Sequence, residues 1–128
     1  MFAIMLLFIL PAIHALTCYE NDNEGNSFLV TNSSWNYCAL IPDGAGGKQF
    51  GIGPLIDNTM AYDSTFAQSG ALYKILTLCM YEKYDFSKIS PVFGSKPEFL
   101  FRCVCNYDKC NSRTTFSDYL KNVREENS

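Results

Sequence analysis

The stretch that decides the reading of this chain is Cys103-Val104-Cys105-Asn106-Tyr107-Asp108-Lys109-Cys110-Asn111. It carries half of the six cysteines and is too short to bury a core, so cross-links must give it shape. Side chains alternate along an extended strand, which puts Cys103 and Cys105 on the same face. Cys105 and Cys110 are close enough in sequence to close a small loop. The segment reads as the closing knot of a disulfide framework.

An even cysteine count points to paired thiols and an oxidising compartment. The N-terminus agrees. Met1 to Leu10 are almost entirely apolar, Pro11 ends the run, and Ile13-His14-Ala15 offers a cleavage site. A membrane span needs about 20 apolar residues, so residues 1–15 read as a secretory signal peptide. Residues 16–112 form one expected domain with a modest core, which each disulfide supplements by about 2–4 kcal/mol. Residues 113–128 read as a short polar C-terminal tail, with one or two frayed helical turns between Asp118 and Glu126. Lys121 to Ser128 lack the hydrophobic run that a lipid anchor requires. The expectation is a secreted, extracellular protein without a membrane anchor.

The formal net charge of −3 weighs against nucleic acid, heparin-like polymers and anionic membranes as partners, since each calls for a basic surface. A membrane-active defence peptide is disfavoured on the same ground.

Along the chain, Asn21 to Ser27 reads as a turn and Phe28 to Thr31 as a short β run. Trp35 to Ile41 is a second such run, Asp43 to Lys48 a flexible loop, and Phe50 to Ile52 the return from it. No element is assigned between Gly53 and Gly70. Ala71 to Tyr81 fits both periodicities. Leu72, Ile75, Leu76, Cys79 and Met80 would share a helical face, whereas Tyr73, Ile75, Thr77, Cys79 and Tyr81 would share a strand face. A strand is preferred because it would pair with Phe99 to Cys105 in a hairpin, with Ser90-Pro91 and Lys96-Pro97 at its tip.

The only histidine, His14, lies in the signal segment. Its loss on cleavage removes Ser-His-Asp and Cys-His catalysis and imidazole metal ligation. Zinc modules pair two close Cys-x2–4-Cys steps, and Cys18 and Cys38 supply no second step, so disulfides are expected and no metal. The Gly44–Gly47 loop fails as a phosphate cradle, because Gln49 stands where Ser or Thr should hold magnesium. No cofactor is expected. Asn32-Ser33-Ser34 is an N-glycosylation sequon placed between two β runs.

Leu16-Thr17-Cys18-Tyr19 together with Cys103–Asn111 resembles the three-finger family, which includes Ly-6/uPAR-type proteins, activin-receptor ectodomains and snake neurotoxins. Asp108, Cys110 and Asn111 match its closing motif in order, with Val104 inserted between the paired cysteines and one extra residue before Asp108. The C-x-C ending is also similar to that of small secreted nematode proteins. The resemblance implies a small disulfide-rich, all-β fold with a three-finger-like antiparallel sheet and pairings Cys18–Cys38, Cys79–Cys103 and Cys105–Cys110. A further family disulfide has no partners here, which implies a looser middle finger.

The function expected is that of a non-enzymatic binding protein presenting loops to an extracellular protein or receptor. Phe50, Tyr84, Phe86 and Phe93, with Lys48 and Lys88 nearby, are the candidate contacts, since rigid aromatics supply contact area at low entropic cost. The alternative is a small secreted hydrolase using two converging carboxylates, one of them desolvated.

Overall fold

The computed structural model describes residues 14–43, 46–90, 92 and 96–128. The signal segment up to Ile13, part of the glycine loop (Gly44, Ala45), Pro91 and the candidate Phe93 lie outside the described residues. β1 (Leu16–Asn21) and β2 (Ser27–Asn32) pair antiparallel in a sheet of their own. β3 (Tyr37–Ile41), β4 (Lys48–Ile52), β5 (Leu78–Tyr84) and β6 (Glu98–Cys105) form a four-stranded antiparallel sheet in the order β4-β3-β6-β5. Helices α1 (Met60–Phe66) and α2 (Phe116–Glu126) complete the chain. The fold is therefore small and mostly β, but two helices replace the all-β expectation.

The larger sheet separates two buried clusters. Alternation sends Cys38, Leu40, Cys103 and Cys105 to one face, where they meet Cys18, Trp35, Cys110, Tyr119 and Val123. The intervening Tyr37, Ala39, Ile52 and Val104 face the other way, against Tyr62 and Phe66 of α1. The inserted Val104 is thus a core residue of the second face. All three disulfides implied by the resemblance are present: Cys18–Cys38, Cys79–Cys103 and Cys105–Cys110.

Four expectations are corrected. The segment without an assigned element contains α1, a short helix that buries Tyr62 and Phe66 one turn apart. The polar tail is not frayed: α2 spans 11 residues, starts on a Thr115 side chain that accepts from the Asp118 N–H, and buries Tyr119 and Val123. The middle hairpin is not loose. β3 is buried along most of its length, and Tyr37 packs edge-on to Tyr62 at 5.6 Å and stacks on Phe66 at 5.4 Å. Its hydroxyl also donates to Asp63. Packing against α1 holds this hairpin. The strand expected from Ala71 begins only at Leu78, because residues 71–77 bend at their start and pair with no strand.

The closing motif works as a substitute strand along β1. Asp108 Oδ1 accepts from the Thr17 N–H at 2.9 Å, and the Lys109 N–H donates to the Thr17 carbonyl at 2.8 Å. Asn111 then accepts from the Tyr19 N–H at 2.9 Å and donates to the Tyr19 carbonyl at 3.0 Å and the Ala39 carbonyl at 2.9 Å. Its carbonyl in turn accepts from Gln49 at 2.7 Å. One fully buried residue therefore joins β1 of the small sheet to β3 through its amide and to β4 through its backbone carbonyl.

Tyr119 closes the disulfide-bearing face. Thr77 Oγ1 donates to the Val104 carbonyl, so the Tyr119 hydroxyl donates to Thr77, at 2.6 Å. Burial pushes the Tyr119 hydroxyl up from 10 to about 12. Between those values the unfolded chain gives up this proton while the folded chain keeps it, so stability is complete below about pH 10 and drains away as pH rises towards 12. Burial acts in the same direction on Tyr37, Tyr62 and Tyr107. Tyr119→Phe is expected to flatten the decline of urea midpoint with pH above 10, and an unchanged slope would show that another tyrosine governs it.

Candidate binding face

The β5–β6 hairpin extends past the buried core, and its disulfide-bearing face carries aromatic residues that the described residues leave largely open. Phe99 and Phe101 share that face by alternation, and Tyr81 stands directly opposite Phe101. Tyr81 stacks on Phe99 with centroids 5.9 Å apart, and Phe101 meets Phe116 of α2 edge-on at 5.1 Å. Leu120 follows Phe116 one helical turn later. Tyr81 is 73% exposed, Phe99 57%, Phe116 41% and Leu120 39%, so the strip is continuous and open. Its rigidity comes from below. Cys79–Cys103 staples the hairpin base, and α2 is anchored by Tyr119 and Val123, which share one helical stripe with Phe116 and Leu120.

The reverse face of the hairpin carries a charged group beyond its apolar base. Arg102 pairs with Glu82 at 2.6 Å and Asp57 at 3.2 Å, and its guanidinium lies 5.7 Å from the Tyr62 ring centroid. This group ties the hairpin to α1 and the loop before it.

The sequence candidates do not come together. Tyr84 and Phe86 stack on each other at 5.8 Å near the hairpin tip, and the Tyr84 hydroxyl donates to Glu82. Lys88 is exposed in the short 3-10 turn that follows. Lys48 and Phe50 sit on β4, at the opposite edge of the sheet. Phe50 is half-buried against the Tyr37–Val104 cluster. It also lines, with Lys48, an open polar groove of about 810 Å³ beside the β1–β2 turn. Glu20, Asp22 and Glu24 border that groove. Asp22 belongs to the turn itself: its carboxylate accepts from the Glu24 and Asn26 N–H groups at 2.9 Å, which holds it below the usual carboxylate range. Gly25, with φ +84°, lets the turn close between them.

Tyr81, Phe99, Phe116 and Leu120 were not among the candidates. Their alternation and helical spacing are those of core residues, and only the overhang of the hairpin leaves them uncovered. Among the described residues no His, Cys, Asp and Glu group is placed to hold a metal, and no helix is long and apolar enough to cross a membrane.

An uncharacterized protein of Caenorhabditis elegans, C02B8.3, is 22% identical over 111 residues, covering 82% of this chain and 80% of its own length. No solved structure matches the chain. The family of unknown function DUF5354 matches residues 12–124, nearly the whole length, and the chain belongs to that family.

Proposed function

We propose that this chain is an extracellular, non-enzymatic binding protein whose contact surface is the aromatic face of the β5–β6 hairpin and α2. The observation that carries this reading is the open strip from Phe99 to Leu120 on a scaffold pinned by disulfides. Contiguous exposed apolar surface of this kind marks interaction sites. The three successive hairpins β1–β2, β3–β4 and β5–β6 would serve as the fingers of a three-finger-like scaffold, with α1 and α2 as additions. The partner is an extracellular protein or receptor. Three disulfides and the apolar N-terminus support an extracellular setting.

Asn32 is proposed to carry an N-linked glycan. Its Oδ1 accepts from the Ser34 N–H at 2.9 Å and the Ser34 hydroxyl at 2.7 Å, which leaves Nδ2 to take the sugar. The test is expression through a secretory pathway, with mass spectrometry for a chain starting at Leu16 and a glycan on Asn32. The product is then screened against an array of extracellular domains. A specific partner is expected to lose affinity by about tenfold or more with Phe99→Ser or Phe116→Ser, as interface anchors do on truncation. Circular dichroism should stay unchanged. A partner that binds both variants as well as the parent chain would overturn the assignment of this face.

A further inference from the structure

We infer that the outer edge of β5 pairs with the same edge of a second copy, joining two aromatic faces into one continuous surface. This deepens the binding reading above and concerns the same hairpin. Among the described residues β5 is the last strand of its sheet, partnered only by β6. Cys79 and Cys103 stand opposite each other with Cα atoms 4.0 Å apart, the close pairing in which neither residue bonds across the ladder. Counting by twos from that pair, Cys79, Tyr81 and Lys83 point their N–H and C=O groups outward, away from β6. An edge of this kind is a template for another strand.

The sequence of that edge fits itself. A two-fold axis through Tyr81, the midpoint of Leu78–Tyr84, sets Tyr81 against its own copy and Lys83 against Cys79, so all three outward residues bond in register. On the reverse face Glu82 falls opposite Met80 and Tyr84 opposite Leu78. No like charges meet across the seam, and each Glu82 is already paired with Arg102 of its own sheet. Lys83 lies diagonally over the Tyr81 ring of the second copy, within reach of a cation–π contact.

The area available is modest. An aromatic side chain buries about 150–250 Å² when fully covered; Tyr81, 73% exposed at the seam, brings only part of that, and Phe99 on β6 stays on the open face. A standard interface uses about 800 Å² on each side, so the edge backbone and neighbouring side chains must supply the rest. The result is a reversible dimer, with a dissociation constant of about 1–100 µM.

Sedimentation velocity on the purified secreted chain, across that concentration range and with no partner present, tests the proposal. The parent chain should shift from monomer to dimer. Tyr81→Lys places two ammonium groups face to face on the axis and should weaken the dimer at least about tenfold. Tyr81→Pro deletes an outward N–H without touching the β6 ladder and should act likewise. Both variants are first checked by circular dichroism, and Lys48→Glu, on the far edge of the sheet, should leave the dimer intact. Monomer at every concentration overturns the proposal, as does a dimer indifferent to Tyr81→Lys. A monomer that instead binds an unrelated extended peptide along β5 assigns the edge to a foreign strand and also overturns it. Because no partner enters the measurement, failure to find one leaves the result standing.

Discussion

Asn111→Asp is expected to lower the unfolding free energy by about 4 kcal/mol or more, a large share of the 5–15 kcal/mol of a typical domain. The substitution keeps the shape of the side chain. It removes the two donors that reach the Tyr19 and Ala39 carbonyls, and sets a carboxylate against those carbonyls in a site without solvent. Asn111→Ala is milder, about 3 kcal/mol, because it adds no charge but strands three buried backbone groups. Urea titration reads both as a lower midpoint at constant slope. A loss below about 1 kcal/mol for the alanine variant would mean that water or local rearrangement replaces the amide, and that the knot is held by its disulfides alone.

The second large effect belongs to Gly51→Ala. A Cβ at this position would lie 2.1 Å from the Trp35 indole, which is itself buried, so the ring must leave its place or β4 must shift. Overpacking of this kind costs about 1–3 kcal/mol where the surroundings yield, and more where they do not. The yield is limited here. Neighbouring Gly53 would place its own Cβ 1.7 Å from the Ser34 carbonyl oxygen, so the backbone before Trp35 is closed in from both positions. Trp35 is the only tryptophan, which makes its fluorescence a direct report. The variant is expected to show a red-shifted emission together with a lower urea midpoint. Emission identical to the parent chain would show that the sheet moves and the indole stays.

The disulfide-bearing half of the molecule was legible because its physics is local. Cys103 and Cys105 declare their common face by spacing, and the runs Phe28–Thr31, Trp35–Ile41 and Phe50–Ile52 show the branched and aromatic residues of strands. The helices are legible only in part: α1 carries no reading, and α2 is read as one or two frayed turns. α1 is only seven residues long, and its signal is the pair Tyr62 and Phe66 within an otherwise polar stretch. α2 buries just Tyr119 and Val123 among charged residues, a stripe too narrow to separate a packed helix from a frayed one. The alternation of Tyr73, Ile75 and Thr77 places the start of β5 too early. Alternation cannot reveal that β6 ends at Cys105 and leaves them unpaired. The proposed binding face escapes for a related reason. Tyr81, Phe99 and Phe101 have the pattern of an interior strand, and no pattern in the sequence says how far a hairpin projects beyond what packs on it.

The valine between Cys103 and Cys105 has a consequence for inheritance of the fold. Strand residues keep phase by twos, so one residue between the cysteines holds both sulfurs on a single side and gives the other side its own apolar anchor in Val104. Removing that valine would throw Cys103 out of phase and turn it towards α1, away from the side where Cys79 waits. The spacer therefore works as a frame-keeping residue. A length change of one at this point would be punished far more severely than any substitution of the valine itself.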